Sequence, residues 1–219
     1  MIYIITGHYG SGKTEVAINL ALTLSRPYIV DLDIVNPFFR TKDAAAKLES
    51  RGVRVISLQF ANTNVDMPTF PPEVFAALQS GDDVVIDVGG DDDGAVVLGQ
   101  FNAYFKEQPY EMLFVINERR PMTSAAAEVI EFIRAVEAVS RLKVTHLVNT
   151  ANLKADTTED DLLSGQQLVC EVSEITGIPV KCAAARRDIA EGLAGKLGVP
   201  IMPLDLHLTL PWERGGDNG

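Results

Sequence analysis

Gly7-His8-Tyr9-Gly10-Ser11-Gly12-Lys13-Thr14 decides how the rest of this chain is read. The stretch fits G-x-x-x-x-G-K-[ST] and stands between an apolar run, 2–6, and a segment in which Ala17, Leu20, Ala21 and Leu24 recur at helical spacing. Glycines let such a turn face its backbone N–H groups inward around phosphate oxygens, and the helix behind it adds its positive N-terminal end. Gly7, Gly10, Ser11, Gly12, Lys13, Thr14 and Glu15 are therefore expected around a nucleotide polyphosphate. Lys13 would bridge the β- and γ-phosphates, and the Thr14 hydroxyl would hold Mg²⁺.

Working outward, short Ile- and Val-rich runs at 28–32, 53–58, 83–88, 112–117, 144–149 and 179–183 alternate with helical patterns. That alternation predicts a three-layer α/β fold, a mostly parallel sheet of seven or eight strands with helices on both faces. Val129, Phe132, Ile133, Val136 and Val139 mark one helix face toward the sheet. A helix over 160–176 starts behind Thr158 and Asp161 as a capping pair and stops at Gly177 ahead of Pro179. Leu204, Leu206, Leu208 and Leu210 alternate at strand period, which reads as an added edge strand or a surface strap. Segments 62–72 and 91–94 read as loops at the edge where open α/β sheets bind ligands. One domain over 1–211 is expected, with 212–219 a flexible tail.

Two predicted strands end in acids on the side of the phosphate loop: Asp31-Leu32-Asp33, and Asp87-Val88-Gly89-Gly90. Asp87 is expected at the metal, through a metal-bound water, and Gly90 at the γ-phosphate through its N–H. Asp33 is the candidate to orient or deprotonate an attacking water, because a carboxylate beside the γ-phosphate puts an acceptor where that water must lie. Asp31 reads as structural.

The net charge of −11 over 219 residues argues against a general affinity for nucleic acid or anionic lipid. Cys170 and Cys182 are too far apart for a C-x-x-C knuckle and fit a reducing compartment. No signal peptide and no run of membrane-spanning length is read from the sequence, so a cytoplasmic protein is expected, without nucleic-acid or membrane partners.

Together these residues resemble the MinD/ParA/Mrp group of P-loop ATPases, to which the nitrogenase iron protein and dethiobiotin synthetase are related. The resemblance rests on the loop with Thr14-Glu15-Val16-Ala17-Ile18-Asn19-Leu20-Ala21, on Tyr28-Ile29-Val30-Asp31-Leu32-Asp33, and on Val85-Ile86-Asp87-Val88-Gly89-Gly90. It implies ATP and Mg²⁺ as cofactors and ATP hydrolysis as the activity. His146-Leu147-Val148-Asn149 is similar to the family segment whose asparagine contacts adenine, which implies that role for Asn149. The chain departs from the pattern at His8, where the family carries a signature lysine that reaches a partner subunit's phosphates. A homodimer is thus possible in principle, yet not one that can be assumed to use that charge.

Two functions stay open on the sequence. One is a nucleotide-dependent switch acting on a protein partner, with Asn36-Pro37-Phe38-Phe39-Arg40 in a first switch region. The other is an ATP-dependent small-molecule kinase or synthetase, its acceptor held near Arg40, Arg119 or Arg120.

Overall fold

In the computed structural model the described residues are 1–33, 42–57, 71–90, 92–151 and 156–207. The expected switch segment 36–40, most of the expected loop 62–72 and the tail lie outside them.

Eight parallel strands form one sheet in the order β3-β2-β4-β1-β5-β6-β7-β8. They are β1 (Ile2–Thr6), β2 (Tyr28–Asp31), β3 (Arg54–Ser57), β4 (Val84–Asp87), β5 (Tyr110–Ile116), β6 (His146–Asn149), β7 (Val180–Arg186) and β8 (Ile201–Leu204). The helices are α1 (Lys13–Thr23), α2 (Lys42–Glu49), α3 (Pro72–Gln79), α4 (Asp92–Gln100), α5 (Asn102–Glu107), α6 (Ala126–Ser140), α7 (Glu159–Thr176) and α8 (Arg187–Ala190). The predicted three-layer fold is the one observed.

Strands buried on both sides alternate which layer they feed. Ile4, Val30, Ile86 and Phe114 pack with residues of α3, α4, α6 and α7, while Ile5, Ile29, Val85 and Val115 pack under α1 and α2. Successive strand side chains point to opposite faces, so continuous apolar runs supply both cores. Helix α1 lies against the sheet so closely that Val16, Ala17, Ile18 and Ala21 have no exposure.

Helix α7 starts and stops as its sequence predicts. Thr158 Oγ1 accepts from Asp161 N at 3.3 Å, Asp161 Oδ2 accepts from Thr158 N at 2.9 Å, and Gly177 closes the helix at φ 74°. Three expectations shift. The added edge strand is Ile201–Leu204, which takes in the first of the four leucines, and Pro203 is tolerated because β8 is the sheet's edge. Of the segment 91–94 expected as a loop, the residues from Asp92 on belong to α4. Val139, expected on the covered face of α6, stays 39% exposed.

The chain runs from β1 outward on one side through β2 and β3, returns to β4, and then continues on the other side of β1 with β5. The crevice at the C-terminal ends of β1, β4 and β5 is thus the switch point of the sheet, where an open α/β fold receives ligands.

Candidate phosphate-binding site

The loop between β1 and α1 carries positive φ at Gly7 (142°), Gly10 (74°) and Gly12 (92°). At Gly7 space also demands glycine, and at Gly10 a side chain would crowd a neighbouring arginine. A Cβ on Gly7 would lie 2.3 Å from Val115 O, and one on Gly10 would lie 3.0 Å from Arg120 Nε.

The loop's carbonyls are taken up by the protein itself. His8 O accepts from Ser11 N at 3.2 Å and from Lys13 Nζ at 3.0 Å. Gly10 O accepts from Arg120 Nε at 3.0 Å and Asn117 Nδ2 at 3.4 Å. Ser11 O accepts from Thr150 Oγ1 at 2.7 Å, and Gly12 O from Val16 N at 3.1 Å. His8 Nδ1 lies 3.2 Å from Tyr9 O, a bond it makes when that nitrogen carries the proton. In a planar trans peptide the N–H points opposite to its C=O. Holding the Gly10 and Ser11 carbonyls from outside the loop therefore fixes the direction of the amides that follow them, of which Ser11 N is used on His8 O and Gly12 N is left to the cradle.

Lys13 is buried, and a Cβ on Gly90 would come within 2.6 Å of its Nζ and 2.7 Å of Tyr9 N. The end of β4 thus closes directly on the loop, as the D-x-x-G reading expects. Thr14 Oγ1 donates to Asp87 Oδ2 at 2.6 Å. Because β2 and β4 pair with Asp31 opposite Asp87, the two acidic strand ends stand side by side. Asp31 Oδ1 accepts from Asp33 N at 2.9 Å, which braces the chain as it leaves β2. Asp33 itself is half-buried and near enough for its charge to act on Asp87.

Asp87 is almost fully enclosed, and burial pushes its carboxyl up to about 6 against the opposing pull of the Thr14 hydrogen bond and the Lys13 charge. Its Oδ1 has no hydrogen-bond partner, and neither does the buried Ser11 Oγ. Unsatisfied polar atoms in a folded interior are uncommon, and two of them flanking one loop point to a missing polar or ionic ligand.

Mg²⁺ fits this donor set. Thr14 donates its proton to Asp87 and so keeps its lone pairs for a cation, and the free Asp87 oxygen supplies negative charge beside it.

The side chains of two expected site residues have partners within the protein. Glu15 accepts His207 N on both carboxylate oxygens, at 2.9 and 3.1 Å, so its side chain fastens the segment after β8 to α1. Asn19 completes that attachment: its Oδ1 accepts from Asp205 N at 2.9 Å and its Nδ2 donates to Asp205 O at 3.0 Å. The side chain of Asn149 is wholly buried, with Nδ2 donating to Leu162 O at 2.9 Å and Gln166 Oε1 at 3.1 Å. In this arrangement both its donors brace α7 against β6, while Oδ1 has no partner.

The residues that sequence reasoning missed are Asn117 and Thr150, and the place of Arg120 against the loop. All come from strand ends far along the chain, and their one signal was position, just past β5 and β6. His8, at the departure from the family pattern, turns its ring edge-on to Phe132 of α6, centroids 5.4 Å apart.

The solved structures that resemble this chain carry the same architecture. The signal recognition particle receptor FtsY of Elizabethkingia anophelis matches with TM-score 0.50 and 23% identity over 83% of this chain. The cell division protein FtsY of Thermotoga maritima matches with TM-score 0.50 and 19% identity over 84%. The fold is that of a P-loop NTPase. Likeness at this level shows the fold alone, and the chain spans 57% and 61% of the lengths of those two proteins. No family model and no curated protein matches the chain. Among the described residues, no helix is long and apolar enough to cross a membrane.

Proposed function

We propose that this protein is a Mg²⁺-dependent ATPase of the MinD and ParA kind, working as a nucleotide-dependent switch on a protein partner in the cytoplasm. The observation that carries the reading is the 2.6 Å bond from Thr14 to a buried Asp87 with one oxygen unpartnered, set under a loop whose Gly10 and Ser11 carbonyls are held from outside. Lys13, with the amides of the loop other than that of Ser11, grips the β- and γ-phosphates. Thr14 and Asp87 hold the metal, which when bound neutralises phosphate charge in the transition state. Asp33 orients the attacking water. Gly90, at the edge of the loop, meets the terminal phosphate through its N–H and passes its presence to α4.

ATP is preferred over GTP in this reading because the N-K-x-D motif of guanine-specific GTPases is missing from the sequence. The Elizabethkingia anophelis protein of similar fold is named a receptor of the signal recognition particle, which is in keeping with a protein partner.

Calorimetry with ATP and GTP in the presence of Mg²⁺ tests the core of the proposal. Wild-type protein should bind ATP, and Lys13→Ala should lose that binding; unchanged affinity in the variant removes the phosphate-loop reading. Asp33→Asn should bind as the wild type does and turn over at least about tenfold more slowly. Full activity in that variant places water handling elsewhere. A kinase or synthetase would instead show turnover that waits for a small-molecule acceptor.

A further inference from the structure

Two arginines follow β5, and the structure separates them. Arg119 is committed to carboxylates: its Nη2 meets Asp161 Oδ1 at 2.6 Å and its Nε lies 3.6 Å from Glu118 Oε1. Arg120 makes no ion pair among the described residues. Its Nε donates to Gly10 O at 3.0 Å, and its guanidinium lies over the tip of the phosphate loop. A Cβ on Gly10 would stand 3.0 Å from Nε and 3.2 Å from Cζ. Glycine at position 10 thus does two things: it allows the positive φ, and it leaves the guanidinium close to the backbone uncrowded.

In a chain of net charge −11 an arginine without a carboxylate, half-buried and bonded to the phosphate loop, is in an unusual setting. Burying part of a cation is costly unless something negative repays it. The Gly10 carbonyl satisfies one N–H of the five on the fork. We infer that Arg120 is a second, built-in cation of the phosphate site, which orients the loop tip through Gly10 and adds its charge to the polyphosphate that the loop binds. The inference rests on the phosphate-loop reading above. It identifies the ligand group as a phosphoryl chain with charge beyond what Lys13 alone matches, a di- or triphosphate in place of a nucleoside or monophosphate. Asn117 and Thr150 share the orienting part, since they hold Gly10 O and Ser11 O, but they bring no charge.

The test is equilibrium binding of adenosine, AMP, ADP and ATP to full-length wild type, Arg120→Gln, Arg120→Lys and Arg119→Gln, each with its thermal melt. Glutamine keeps an N–H donor for Gly10 O and removes the charge. Arg120→Gln should bind ADP and ATP at least about tenfold more weakly, with adenosine within about twofold of wild type. Arg120→Lys should recover part of the loss. Arg119→Gln should leave the series unchanged, because that guanidinium is neutralised by Asp161 and Glu118. Triphosphate affinity unchanged in Arg120→Gln overturns the inference and leaves the phosphate loop standing. Equal losses for adenosine and ATP, or a loss in Arg120→Gln that follows a lowered melting temperature, overturn it in favour of a structural role. Wild-type protein that binds no polyphosphate removes the underlying reading as well.

Discussion

Two buried carboxylates flank Lys13 and Thr14, and they have opposite environments. Glu15, one residue on along α1, has both oxygens occupied by the backbone N–H of His207 and sits beside Asn19, which holds Asp205 by both its backbone groups. Asp87, across the crevice at the end of β4, has one oxygen on Thr14 and the other on nothing, and burial has pushed its pKa up to about 6. The protein has spent Glu15 on its own architecture. Asp87 is held in a condition that folding alone does not reward. A buried acid that is satisfied explains how the chain closes, whereas one that is not satisfied points to what the chain binds.

The largest effect that could break this contrast is expected at Asp87. Asp87→Asn should lower Mg²⁺-dependent ATP turnover by at least about a hundredfold. The same change should raise the stability of the ligand-free protein at pH 8, on the order of 1–3 kcal/mol, because it removes a charge that burial disfavours. The sign follows from the raised pKa. Between about pH 4 and about 6 the native state keeps a proton that the unfolded chain has released, so wild-type stability falls as pH rises through that window and stays lowered above it. Thermal melts of wild type and variant from pH 4 to 8 should diverge over this range. If the two run parallel, Asp87 is no more strained than an ordinary carboxylate and the contrast with Glu15 disappears.

Glu15→Ala should show the reverse pattern. It strips the acceptor from His207 N and costs about 1–3 kcal/mol of stability, read from denaturant unfolding. ATP affinity in folded protein should stay within about threefold of wild type. A loss of affinity much larger than that would return Glu15 to the nucleotide site, where its place beside Thr14 in the sequence first put it.

How much of this was legible in the sequence follows from how local each feature is. The phosphate loop, the strand ends at Asp31 and Asp87, and the Thr158–Asp161 box are patterns within a few residues, and their geometry is dictated by the residues that spell them. The struts on the loop are not local. Arg120, Asn117 and Thr150 reach it across 110, 107 and 139 positions, and no spacing rule connects them. The use of the Glu15 side chain was not legible for the same reason, since its partner lies 192 positions on. On a helix, consecutive side chains point about 100° apart, and this one turns toward the segment after β8. Of the leucine alternation at 204–210, Leu204 ends the edge strand β8, and residues from 208 on lie outside the described ones. Beyond β8, Asp205 N and O are engaged by Asn19 and His207 N by Glu15, side chains of α1 that stand where a neighbouring strand would.

Asn149 combines both conditions in one side chain, and so offers the sharpest and smallest test of the contrast. Its amide nitrogen is fully used on Leu162 O and Gln166 Oε1, the condition of Glu15, while its Oδ1 is buried with no partner, the condition of Asp87. If the satisfied half dominates, the residue is a brace between β6 and α7, and base recognition falls to other atoms. Asn149→Ala would then cost about 1–2 kcal/mol of stability through two lost hydrogen bonds and leave the ratio of ATP to GTP affinity as it was. If the unsatisfied half dominates, Oδ1 is an acceptor kept for the adenine amine, α7 must yield for the base to reach it, and the same variant would lose its preference between the two nucleotides. The tight approach of α7, where a Cβ on Gly165 would stand 2.8 Å from Oδ1, favours the brace. Paired titrations of ATP and GTP into wild type and Asn149→Ala therefore should give an unchanged ratio, and a shifted one would assign the base contact to this residue.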